Sequence, residues 1–86
     1  MATERISERA TRIVRGLLGK KGTTQEWLSN ESGIPMRTLA RRLHNTNPSP
    51  MTLDELAAVA EALGTDLVSI LVAAREESAS RVEQVA

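Results

Sequence analysis

Gly33-Ile34-Pro35 is the tightest constraint in this chain of 86 residues. Proline has no amide hydrogen and its ring clashes with the preceding helical turn, so Pro35 belongs only at a helix start or in a turn. Glycine two places earlier supplies the left-handed conformation that closes a helix. The segments on either side are therefore two separate helices. Upstream, Thr23-Thr24-Gln25-Glu26 reads as a capping box, with the Thr23 hydroxyl meeting the amide of Glu26 and the Glu26 side chain reaching back. The helix opening there must close by about Glu31 or Ser32. Downstream of Pro35, a helix over about 36–44 puts Leu39, Ala40 and Leu43 on one side and leaves Arg37, Thr38, Arg41 and Arg42 facing elsewhere.

The flanking segments carry the same 3.6-residue period. Ile6, Ala10, Ile13 and Leu17, flanked by Val14 and Leu18, predict a first helix over about 3–18 that stops at Gly19-Lys20-Lys21-Gly22. Asn45-Thr46-Asn47-Pro48-Ser49-Pro50 is turn chemistry throughout and predicts the one long loop. Thr52-Leu53-Asp54-Glu55 is a second capping box. It opens a helix with Leu53, Leu56, Val59, Ala60 and Leu63 on one stripe and Gly64 at its end. Thr65-Asp66 caps a fifth helix, with Leu67, Ile70, Leu71 and Ala74 turned inward and the core ending near Ala74. The fold class is all-α, five compact helices. Residues 1–74 form the domain and 75–86 a helical extension or frayed tail.

Composition narrows the chemistry. A chain this short has material for one core, and 41% of its residues are hydrophobic, mostly Ala, Leu, Val and Ile, with Trp27 the only aromatic residue. With no cysteine there is neither a disulfide framework nor a thiolate metal site. No apolar run exceeds five residues, as at residues 70–74, far short of the roughly 20 residues that span a bilayer. The N-terminus lacks the basic start and apolar stretch of a secretory signal, so cytoplasm is the default location. One histidine and two aspartates, with no glycine-rich phosphate loop, provide no triad or metal cluster, so neither enzyme activity nor a cofactor or metal is expected.

The net charge of zero conceals a polarity. Residues 1–45 hold nine basic side chains against four acidic ones, whereas residues 46–86 hold two against seven. Such a chain can turn a positive face to phosphates and a negative one away from them. Solvated helix faces would carry the same clusters, so charge alone decides nothing.

The arrangement around Gly33 supplies what charge does not. A short helix, a glycine turn and a second short helix make a helix-turn-helix, with Ser29 small enough for a close crossing and Leu28, Ile34 and Leu39 pinning the unit to the core. The second helix then stands proud of the protein and fits the DNA major groove, about 12 Å wide, with Arg37, Thr38 and Arg41 as its donors.

The stretch Thr24-Gln25-Glu26-Trp27-Leu28-Ser29-Asn30-Glu31-Ser32-Gly33-Ile34-Pro35-Met36-Arg37-Thr38-Leu39-Ala40-Arg41 resembles the lambda-repressor and Cro-like (XRE-type) helix-turn-helix regulators. The resemblance continues through Asn47-Pro48 into Leu53-Asp54-Glu55-Leu56-Ala57-Ala58-Val59-Ala60-Glu61-Ala62-Leu63-Gly64 and spans roughly residues 6–72. It implies that Gln25 touches a phosphate or braces a base-reading side chain, and that Met36, Arg37, Thr38 and Arg41 line the recognition surface. Arg42 stands where the family usually has an apolar residue, with Leu43 one place later, which predicts a rotated end to the third helix. Trp27 and Pro35 stand where polar residues are usual.

Arg37 and Arg41 are read as base or phosphate contacts, because a guanidinium donates two bonds to the O6 and N7 of guanine. Arg42, Lys20, Lys21 and His44 are phosphate neighbours or bystanders, with Arg42 retained among the DNA-binding residues, and Trp27 is a packing residue. Val68, Val72, Arg75, Ala79 and Val82 advance by alternating four and three along the fifth helix, the spacing of a homodimer seam. The expected function is a double-stranded DNA operator-binding regulator, a phage-type or bacterial repressor that binds a palindrome as a homodimer. The alternative is a protein-interaction module on the same fold, an antitoxin or anti-repressor using its acidic half.

Overall fold

A computed structural model describes the backbone of residues 5–44 and 46–85 and the side chains of 5–44 and 46–77. Its elements are α1 (Ile6–Lys21), α2 (Gln25–Ser32), α3 (Met36–Arg42), α4 (Leu53–Ala62) and α5 (Leu67–Val85), with no strand among the described residues. Helix α1 outlasts its expected end by three residues. Gly19 stays helical, and it is Gly22, at φ 71°, that turns the chain, its N–H donating to the Gly19 carbonyl and the Thr23 N–H to the Leu18 carbonyl. Lys20 and Lys21 thus lie in the last turn, where the dipole favours cations. The buried stripe is Ala10, Val14 and Leu18 together with Thr11, whereas Ile13 and Leu17 are half-buried and Ile6 is exposed. The core-facing side of α1 is therefore rotated toward what the sequence read as the flank.

Helix α4 is capped as its sequence dictates. The Thr52 hydroxyl accepts from the Glu55 N–H at 3.0 Å and Glu55 Oε1 accepts from the Thr52 N–H at 2.9 Å. Leu56, Val59, Ala60 and Leu63 are buried, but Leu53 is 67% exposed and does not belong to that stripe. Met51, just ahead of the cap, packs on the core in its place. Gly64 at φ 80° and the Asp66 cap, whose Oδ1 accepts from the Ser69 N–H at 2.8 Å, turn the chain through 101° into α5.

Helix α5 lies mainly along α1, and α2 packs on both α3 and α4. Ile70 and Ala74 are buried between them, with Leu67 and Leu71 packed at the margin. The helix continues without a break past Ala74. Arg12 of α1 donates from Nη2 at 2.6 Å and from Nε at 3.1 Å to Glu77 Oε1, so α5 is held to α1 three residues beyond the last buried alanine. No single helix among the described residues is long and apolar enough to cross a membrane.

Candidate nucleic-acid interface

The local chemistry of α2 and α3 sets the angle between them. Helix α2 is capped by Thr24, one residue later than expected: its hydroxyl accepts from the Trp27 N–H at 3.1 Å. With Thr24 as the cap, Trp27 takes the third helical position, so no carboxylate there reaches back, and the box centred on Thr23 does not form: among the described residues the buried Thr23 hydroxyl has no hydrogen-bond partner. At the other end, Gly33 sits at φ 78° and its N–H donates to the Ser29 carbonyl at 3.0 Å. The Ser29 hydroxyl crosses the turn to the Ile34 carbonyl at 2.6 Å, and the Ile34 N–H donates to the Ser32 hydroxyl at 3.3 Å. Ile34 is buried and Pro35 is the cap of α3, its carbonyl accepting from the Leu39 N–H. Leu28, Ile34 and Leu39 are all in the core, as the helix-turn-helix reading requires.

Helix α3 ends at Arg42, two residues short of expectation. Leu43 leaves the helix as its C-cap, at φ −103° and ψ 16°, and buries its side chain. Beyond it, His44 Nδ1 accepts from the backbone N–H groups of Thr46 and Asn47 at 3.3 and 3.2 Å. His44 therefore holds the loop together.

The outward face of α3 is set by Leu39. At about 100° per residue, Arg37 and Arg41 fall within about 40° of each other on the side opposite Leu39. Both are exposed, and among the described residues neither forms an ion pair, with Glu31 or any other acid. Met36, 44% exposed, and Ala40 flank them, and Thr38 is half-buried. Gln25, at the start of α2, shares with Ala40, Leu43, His44 and Thr46 an open concavity of about 380 Å³. The hollow brings the first turn of α2 and the last turn of α3 to one surface.

Arg42 is placed differently. Its Nε donates to Glu55 Oε1 at 2.9 Å, its Nη2 to Glu55 Oε2 at 3.3 Å and its Nη1 to the Ser49 hydroxyl at 2.8 Å. The sequence placed Arg42 among the phosphate-facing residues; the structure turns its guanidinium inward to α4, and the pair is only 23% and 19% exposed. The Arg42 hydrogen bond, with a smaller contribution from the Thr52 N–H, holds the Glu55 carboxyl below the usual carboxylate range despite partial burial. No sequence period links residues thirteen apart across a loop, although the capping role of Glu55 was readable. Lys21 is also engaged internally, its ammonium 5.5 Å from the centroid of the Trp27 ring, which packs on the core edge. Lys20 is exposed.

On α5, Val68, Val72 and Arg75 lie on the side away from Ile70 and Ala74, and Val68 is 68% exposed. The two further seam positions, Ala79 and Val82, fall outside the described side chains. Among the described residues no group of three or more His, Asp or Glu side chains is placed to hold a metal ion.

The chain matches the family of Cro/C1-type HTH DNA-binding domains over residues 14–74, from the middle of α1 to the last buried alanine of α5. No curated protein and no solved structure matches it.

Proposed function

This chain belongs to the Cro/C1-type HTH DNA-binding domain family, and on that premise we propose that it is a sequence-specific repressor that seats α3 in the major groove of an operator. The observation that carries this reading is the pair Arg37 and Arg41: two exposed guanidinium groups on one side of a helix whose other side is anchored by Leu39. Bidentate donation to guanine is the commonest base-specific use of such groups, and each good pair discriminates by about 1–3 kcal/mol. Thr38 and Met36 complete the reading surface, and Gln25 binds a phosphate or steadies a base-reading side chain from across the shared hollow. The protein acts as a homodimer through Val68, Val72 and Arg75, presenting two copies of α3 about 34 Å apart to a palindromic site.

Selection of bound duplexes from a random pool tests this reading, because it returns site, symmetry and stoichiometry together. A palindromic consensus whose binding weakens steeply with salt supports it. Absence of binding to any duplex at low salt would overturn it and favour a protein-interaction role.

A further inference from the structure

We propose that Arg42 is a positioning residue for α3, acting on DNA recognition through Glu55 and Ser49 and touching no phosphate itself. The proposal rests on the DNA-binding reading and extends it to the question of what holds the reading helix at its angle. Helix α3 has seven residues, too few to persist on its own, and among the helices it packs chiefly on α2. Its far end, which carries Arg41, is held by a different set of contacts. The Arg41 carbonyl accepts from the Ser49 N–H at 3.1 Å, and the Arg42 guanidinium binds both the Ser49 hydroxyl and the Glu55 carboxylate. Glu55 is in turn fixed by the cap of α4, where the same Oε1 accepts from Thr52. Loop, helix end and neighbouring helix thus meet on one side chain. With Arg42 committed inward, its neighbour Arg41 is left on the outer face of the helix.

A planar guanidinium suits this task because its donors diverge in a fixed fork, so the two carboxylate oxygens and the serine hydroxyl are engaged from one rigid group. Glu55 makes the decisive variant. Glu55→Gln keeps an oxygen for the Thr52 N–H and so preserves the α4 cap, while removing the charge that holds Arg42. Arg42→Gln removes the other half. Both variants and the parent are measured on a selected duplex and on a scrambled one across a salt series. Amide exchange along α3 is followed in parallel, at a temperature where all three proteins are fully folded.

The proposal expects both variants to lose about three- to thirtyfold in affinity for the selected duplex. Binding to the scrambled duplex and the salt slope should be unchanged, and exchange should quicken at Leu39 and Leu43. A salt slope reduced by about one in Arg42→Gln, with Glu55→Gln binding as well as or better than the parent, would make Arg42 a phosphate contact and overturn the proposal. An unchanged ratio of selected to scrambled affinity in both variants would reduce the tie to a stability element and overturn it equally. A parent chain that binds no duplex would instead defeat the DNA-binding reading, and this proposal with it.

Discussion

The Ser29 hydroxyl donates to the Ile34 carbonyl oxygen at 2.6 Å, joining the middle of α2 to the residue just before Pro35 across the glycine turn. A short side chain is needed there, because it must lie between two helices while its oxygen reaches the backbone. Ser29→Ala should cost about 0.5–1.5 kcal/mol, the net value of one such bond, read as a shift in the urea midpoint with no change in slope. A midpoint unchanged within error would show that water replaces the hydroxyl without loss.

Two glycines should respond in opposite directions. Gly33 sits at φ 78° with open space where a Cβ would be, so Gly33→Ala meets backbone strain alone and should destabilise by about 1 kcal/mol. Gly19 has the same open space inside regular α1, so Gly19→Ala should stabilise by roughly 0.5–1 kcal/mol. Thermal unfolding of the two variants decides this, and destabilisation by Gly19→Ala would contradict the helical assignment of residues 19–21.

Acid should weaken the junction of α3 and α4. Glu55 is held below its usual range, first by the Arg42 hydrogen bond, so it contributes stability above the unfolded glutamate value of about 4.3, and that contribution is lost as pH falls through the folded value. Asp66, held low by the Ser69 N–H, acts in the same direction at the cap of α5. Denaturation at pH 7 and pH 3 should therefore show a smaller acid loss for Glu55→Gln than for the parent. Equal losses would mean that the Arg42 contact is not maintained in solution.

The Arg12–Glu77 pair secures α5 beyond Ala74 and so steadies the helix that presents Val68 and Val72. Glu77→Ala should cost about 0.5–1 kcal/mol and raise amide exchange in the last described turns of α5. Val68→Asp should leave the fold intact but abolish dimerisation on DNA, as measured by sedimentation of the complex. A parent that sediments as a monomer both free and on its operator would remove the dimer from the account.

What the sequence made legible was local. Gly33 and the Thr52–Glu55 box depend on neighbours within four residues, and α2 and α4 close and open where those residues put them. Burial of Leu28, Ile34 and Leu39 followed from the helix-turn-helix arrangement around Gly33, which needs them to pin it to the core. Errors arose where competing neighbours decide. Thr23 and Thr24 are equally good caps by type; Glu26 favoured Thr23, but the helix starts at Gln25, with Thr24 as the cap and Glu26 in the second helical position. Leu53 fits the α4 stripe by spacing, but Met51 reaches the core from outside the helix. The inward turn of Arg42 depends on Ser49 and Glu55, which only the folded loop brings within reach, whereas helical spacing alone left Arg42 facing away from the apolar side as a phosphate neighbour or bystander.

The most direct measurement is the affinity of Arg37→Ala and Arg41→Ala for the selected duplex and for versions altered one base pair at a time. Each variant should lose about 1–3 kcal/mol and become indifferent to one base pair that the parent distinguishes. Full affinity and full discrimination in both variants would show that the outward face of α3 does not read DNA.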